Sequence, residues 1–402
     1  MKLLDRFLNY VKIDTMSSEE ANQTPSTEKQ FDLANVLVKE LKELGLKNVE
    51  LSKECVVTAF LPTNSKKKDY TIGFIAHLDT IPGFSGTNVK PNVIKDYDGS
   101  DIKLKNNVVL SVKQFDFLAK LKGKTLITTD GTTVLGADDK AGVAIIMDML
   151  QYFVNNPEIE HTNIKVAFTP DEEIGGGIEK FDINKFGADF AYTVDGEIYD
   201  EINFECFNAC SAMIHITGLD IHPGSAKNQM INAVDIATEF NQMLPAKEKP
   251  MYTDGYEGFN HLCYLKGEVG YADLMYILRN HDENKLNKQK EDFVKIQDKL
   301  NKKYGKDVVE VELKDGYRNM ASIIKKDPKC IDRATTRMAD VGVKARYVPI
   351  RGGTDGANLT LRGLNTPNLG TGGYNCHGPY EFACLEEMQK VSEIITEIAK
   401  IK

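Results

Sequence analysis

The chain has no CxxC pair, no long apolar run and no surplus of basic charge. Its seven cysteines, at 55, 206, 210, 263, 330, 376 and 384, are odd in number and scattered. That usage suits reduced thiols in a cytoplasm and speaks against a disulfide scaffold. No stretch approaches the roughly 18 apolar residues of a spanning helix, so no membrane partner is expected. With 59 acidic and 50 basic residues the formal charge is −9, which argues against a nucleic-acid surface. No glycine motif of the kind that cradles phosphates supports a phosphohydrolase. The opening MKLLDRFLNYVKIDT carries charge every few residues and apolar positions at helical spacing. It reads as an amphipathic first helix and not as a signal peptide.

What is present is enough to build a full core. Hydrophobic residues make up 42% and charged residues 27%, the balance of a soluble globular protein. At 402 residues, two domains are expected. Residues 30–45 predict a second amphipathic helix, and Val56–Leu61 and Thr71–Ala76 predict strands. The stretch 80–124 reads as a long excursion with short hairpin pieces. AGVAIIMDMLQYFV predicts an apolar helix whose Gly and Ala approach a sheet. Strand 164–168, a helical turn near 178–186 and strand 189–194 follow, and the alternation argues for α/β layers.

The pattern then changes. ACSAMIHITG alternates with period two, 226–244 reads as a helix, and 260–267 and 269–278 read as strands. A charged helix at 283–303, best explained as a solvated face, precedes the strand VVEVEL. This is the split βαβ order of a small α+β module. Helix 331–340, the run 346–350 with RGGTDG, PNLGTG and helix 383–400 resume the first pattern. The expected architecture is an α/β domain carrying an inserted α+β domain.

Acids and histidines recur where the strand-like runs end. HLD places His77 and Asp79 after IGFIA, pointing the same way by alternation. Asp138 and Asp139 stand in a glycine-flanked turn before a helix, Glu172 and Glu173 follow 164–168, Asp195 lies in TVDG, and His377 in GGYNCHG. Any one of these has an ordinary explanation, such as a helix N-cap for an Asp before a helix. In an open α/β sheet, however, the loops at the carboxyl ends of strands gather at one rim. Imidazoles and carboxylates gathered there form a divalent-metal site suited to zinc, with manganese or cobalt as rivals. Asp138 could bridge two ions, with His77 and Asp195 on one and Glu173 and His377 on the other. Spacing leaves other pairings open. Asp79 could orient His77, and Glu172 would remain free to move a proton.

The segments PSTEKQ, IGFIAHLDT, GFSGTNV, LITTDGTTVLGADDKAG, VAFTPDEEIG, AYTVDG, HPGSAKNQMINA, YTDGYEGF, IRGGTDGANL and NLGTGGYNCHG resemble the aminotripeptidases of the M20 metallopeptidase family. The likeness runs from FLNYVKIDT through the final helix. It implies a zinc-peptidase catalytic domain at 1–204 and 318–402, with a lid or dimerisation domain inserted at 205–317. It implies two Zn2+ per subunit, for which Co2+ or Mn2+ could substitute. The implied ligands are His77, Asp138 as bridge, Glu173, Asp195 and His377, with Glu172 as general base and Asp79 behind His77. His222 matches a histidine that reaches a neighbouring active site and stabilises the oxyanion there, and Arg351 a residue that holds the substrate. Asn280 and Arg279 are further substrate candidates by their position after a lid strand. The implied substrates are short peptides, chiefly tripeptides with a free N-terminus, and the implied assembly is a homodimer through the insert. Dipeptide hydrolysis and N-acyl amino-acid deacylation are the enzymatic alternatives, and a non-catalytic peptide-binding protein is the other.

Overall fold

The computed structural model describes residues 1–402 as two units. The first comprises Met1–Phe204, Ser322–Val348 and Thr354–Lys402, and the second Glu205–Ala321 and Pro349–Gly353. Against the insert expected at 205–317, the second unit also takes in 318–321 and the separate stretch Pro349–Gly353. The Ile350 N–H donates to the Glu205 carbonyl at 2.8 Å, and the Ile350 carbonyl faces His281 Nε2 at 3.0 Å, which ties that stretch to this unit.

In the first unit an eight-stranded sheet runs in the order Lys47–Leu51, Val57–Leu61, Asn163–Thr169, Thr71–His77, Phe190–Gly196, Asn368–Gly370, Glu201–Asn203, Arg346–Tyr347. The strands at its centre are near-continuous apolar runs, as a sheet covered on both faces requires. Thr71–His77 pairs in parallel with Asn163–Thr169 on one side and with Phe190–Gly196 on the other. His77 lies opposite Thr169, and Ile75 opposite Thr193. Three chain segments therefore leave the sheet at the same rim. The α/β layers expected from the alternation are present.

Helix Ala137–Asn155 covers this sheet and is buried almost all round. It packs tightly at Gly142, where an added Cβ would overlap the Val194 carbonyl oxygen and the Asp139 carboxylate. Gly142→Ala therefore pits a helix-propensity gain of up to about 1 kcal/mol against overpacking of rigid backbone, typically about 1–3 kcal/mol. We expect net destabilisation, seen as a lower urea midpoint. A midpoint at or above that of the parent protein would contradict this packing.

A smaller four-stranded sheet, in the order Gly373–Tyr374, Phe382–Cys384, Leu126–Thr128, Asn92–Ile94, also belongs to the first unit. It carries the two loops that lead to Asp138 and His377. The excursion at 80–124 contains the expected short strands, at Asn92–Ile94, Ile102–Lys103 and Val109–Leu110.

The second unit is an antiparallel sheet in the order Phe259–Glu268, Tyr271–Asn280, Asn208–Thr217, Val309–Asp315, with helices Ala233–Met243 and Glu283–Tyr304. Chain order within it is the expected split βαβ. The first helix starts at Ala233 and not at 226. Asn232 caps it by accepting the Val234 and Asp235 N–H groups, and Ile231 is bridged to Leu219. The charged helix buries Leu286, Gln289, Phe293, Ile296 and Leu300 and leaves most of its charges outward, so it is a solvated face as expected. The seven cysteines form no disulfide, and no helix is long and apolar enough to cross a membrane.

Candidate metal centre

Parallel pairing brings the rim residues together. His77 ends its strand, and Asp195 is the penultimate residue of the strand beside it. The strand that ends at Thr169 turns sharply at Asp171, whose φ of 56° is left-handed, and so delivers Glu172 and Glu173 to the same rim. Asp138 stands before the regular part of its helix, with φ −82° and ψ 103°. His377 sits in the loop between Gly373–Tyr374 and Phe382–Cys384.

The five candidate ligands form two groups that share one member. His77 Nε2 lies 2.8 Å from Asp138 Oδ1 and 3.4 Å from Asp195 Oδ1. His377 Nε2 lies 3.0 Å from Asp138 Oδ2 and 3.0 Å from Glu173 Oε2. Asp138 thus turns one oxygen to each group. Within each group the ligand atoms lie within 4.8 Å of one another.

The electrostatics show what this arrangement lacks. Burial works against a charged His77, but the Asp195 carboxylate and hydrogen bonds to Asp138, Asp195 and Asp79 raise its pKa well above the usual value. Burial likewise opposes an ionised Asp138, yet hydrogen bonds from His377 and His77 hold it well below the carboxylate range. The other acids are pushed towards the neutral form. Burial and then the Asp138 charge raise Glu173 to about 7, and burial, with Asp138 adding to it, raises Asp195 to about 7. Glu172 is raised well above its usual value by burial and then by Asp195. Buried carboxylates outnumber the imidazoles that could neutralise them, which is the imbalance a bound cation relieves. Two imidazole nitrogens and three carboxylates are also the donor set of a hard-to-borderline divalent ion, so the residues fit a two-metal centre.

Asp79 is fully buried and joins three of these residues. His77 Nδ1 faces its carboxylate at 3.3 Å and its carbonyl at 3.1 Å. Its two carboxylate oxygens accept the Glu172 N–H at 3.0 Å and the Glu173 N–H at 3.3 Å. One acid therefore orients the ring that faces one cluster and the turn that serves the other. Glu172 belongs to neither cluster.

Sequence reasoning assigned no role to the residues that hold this frame. The buried Asp139 accepts the His77 N–H at 3.2 Å and the Gly142 N–H at 3.1 Å. Asp355 is buried on the Thr169 hydroxyl at 2.9 Å, and its charge helps raise Glu172. Asp171 accepts Ser26 N–H at 2.7 Å, the Ser26 hydroxyl at 2.5 Å and the Gln30 amide at 2.7 Å. It returns its own N–H to Gln30 Oε1 at 3.2 Å. The segment PSTEKQ thus holds the turn from which Glu172 and Glu173 project. Gln30→Ala leaves the Asp171 N–H unpaired and takes one donor from its carboxylate, and is expected to cost about 1–3 kcal/mol. The urea midpoint of metal-free protein reads this directly, and an unchanged midpoint would mean that the turn is held by other contacts.

The other residues singled out in the sequence all lie in the second unit. His222 is exposed, and its Nδ1 accepts the Gly224 N–H at 3.1 Å. Asn280 is buried, donating to Gln289 at 3.1 Å and accepting the Asp282 N–H at 3.2 Å. Arg279 donates to the Tyr317 hydroxyl at 3.0 Å and to the Leu278 carbonyl at 2.9 Å. Arg351 lies over the Phe207 and Phe259 rings and donates to the carbonyls of Gly255 and Glu257, both at 2.8 Å, and to the Thr253 hydroxyl at 2.9 Å.

Known proteins share both the sequence and the architecture. The chain is 50% identical to a Peptidase T of Caldanaerobacter subterraneus over 402 residues, covering 100% of this chain and 98% of the relative. It is equally identical, with the same coverage, to a Peptidase T of Geobacillus thermodenitrificans. Among solved structures it resembles a tripeptidase from Staphylococcus aureus, with a TM-score of 0.80 and 21% identity over 99% of this chain and 97% of that one. A Bacillus subtilis protein described as a dinuclear metal binding peptidase from the M20 family shares the fold more distantly, with a TM-score of 0.64 and 13% identity over 98% and 96% of the two chains. The model of peptidase family M20/M25/M40 matches residues 134–401, from just before Asp138 to beyond His377. With that match and half-identical relatives along its whole length, the chain belongs to this peptidase family.

Proposed function

We propose that the chain, a metal-dependent aminopeptidase of small peptides, removes the N-terminal residue from tripeptides. The observation that carries this reading is the shared Asp138, placed between two clusters with Glu172 left outside both. His77, Asp138 and Asp195 would hold one ion, and Asp138, Glu173 and His377 the other. Divalent ions bound there would polarise the scissile carbonyl and acidify the attacking water. We take these ions to be zinc, with cobalt or manganese able to substitute.

Glu172 accepts the proton of the attacking water and returns it to the departing amine. Asp79 keeps Glu172 and Glu173 in separate roles by receiving both of their N–H groups. His222 is the donor for the developing oxyanion, where a preorganised hydrogen bond contributes most. Arg351, Asn280 and Arg279 are assigned to the substrate side. Their present hydrogen bonds favour an indirect contribution, through the shape of the second unit and of its loop at 253–257. Pairing of two chains through the second unit, and residence in the cytoplasm, complete the reading.

Peptide length decides between this reaction and its relatives. Metal-loaded protein assayed on di-, tri- and tetrapeptides, beside N-acetyl amino acids, should cleave tripeptides with a free N-terminus fastest. Preference for dipeptides or for N-acetyl amino acids would replace the proposal with dipeptidase or deacylase activity.

A further inference from the structure

We propose that Glu381 is a positioning residue that couples the His377 loop to the Asp138 loop, so that the second cation site depends on it. Glu381 is 1% exposed, and its carboxylate is held by backbone N–H groups. Oε2 accepts the Leu135 N–H at 2.7 Å and the Gly136 N–H at 2.8 Å, and Oε1 accepts the Asp138 N–H at 3.1 Å. The backbone N–H of Glu381 itself donates to the Gly378 carbonyl at 3.2 Å, closing a turn that directly follows His377. One residue thus grips the segment leading into the shared carboxylate and shapes the loop of the ligand opposite it.

The chemistry requires an acid at this position. Three N–H groups converge on the side chain, and a carboxylate offers acceptors at both oxygens, with hydrogen bonds strengthened by its charge. A glutamine of the same shape would turn a donor towards one of those donors. Burying a carboxylate is costly, and these bonds offset the cost only with the loops in register. The two clusters do not depend equally on that register. His77 and Asp195 stand on strands of the large sheet, whereas His377 stands on a loop, directly before the turn that Glu381 closes. The His377 side chain is also far more open, 48% exposed against 2% for His77. Asp138 serves both clusters, so loss of Glu381 should weaken both, and the Asp138–Glu173–His377 cluster, whose histidine stands on a loop, more strongly than the other.

This inference rests on the two-cation reading, and the parent protein controls for that reading. Metal-free full-length protein is titrated with Zn2+ by calorimetry, with metal content measured in parallel. The parent should bind two ions per chain; any other stoichiometry counts against the two-cation reading itself. Glu381→Gln should bind one ion a little more weakly and the second about 10–100-fold more weakly, as loss of a group supporting a ligand commonly does. Excess Zn2+ should then restore the second ion. Should Glu381→Gln fail to fold, Glu381→Asp, which keeps the charge, should show the same unequal loss to a smaller degree. Two ions at parental affinity in the folded variant, or equal weakening of both, would overturn the proposal.

Discussion

Replacing Glu172 with glutamine will leave the metal content intact and remove most turnover. Glu172 belongs to neither ligand cluster, so an amide in its place deprives no ion of a donor. Its backbone N–H would still reach Asp79, as it does at 3.0 Å, so the turn should keep its path. What disappears is the group proposed to take and return a proton, a contribution of about 10²–10⁴ in rate. The expected result is a fall in kcat of that order with a small change in KM, in protein whose metal content by atomic emission equals that of the parent. Full activity in the metal-loaded variant would remove Glu172 from the mechanism.

The second large effect is of the opposite kind. Glu173→Ala deletes an oxygen that lies 3.0 Å from His377 Nε2 and completes the cluster of Asp138, Glu173 and His377. The first consequence should be loss of an ion, with activity falling because the site is incomplete. Metal content should drop towards one ion per chain after dialysis, while excess zinc should recover part of the activity. Unchanged metal content would reject Glu173 as a ligand. Neighbouring glutamates would thus give opposite signatures, one losing turnover with metal retained and the other losing metal.

The fold was legible because its signals are local. Apolar runs at Thr71–His77, Asn163–Thr169 and Phe190–Gly196 alternate with helices, and parallel pairing of such runs sends their ends to one rim. Acids and histidines at those ends could therefore be read as a group from the chain alone. The supporting frame was not legible. Asp171 meets Gln30 across 141 positions, and Glu381 meets the segment before Asp138 across 243 to 246 positions. Contacts so distant leave no periodicity in the sequence. Glu381 did leave a weak trace, an acid set between the aromatics Tyr380 and Phe382.

One helix boundary differed for an equally physical reason. Residues 226–232 resemble helix in composition, but the Asn232 cap postpones the helix to Ala233. Arg351, in RGGTDG, is matched to the substrate only by the family resemblance. Its guanidinium meets backbone carbonyls at 255 and 257, bonds that no residue pattern announces.

The central claim is that two cations share Asp138, and anomalous diffraction at the zinc edge from crystals of the zinc-loaded protein tests it most directly. The account predicts two peaks per chain about 3.5–4 Å apart. One should lie among His77, Asp138 and Asp195, the other among Asp138, Glu173 and His377, with Glu172 bound to neither. A single peak, or two peaks without Asp138 between them, would contradict it.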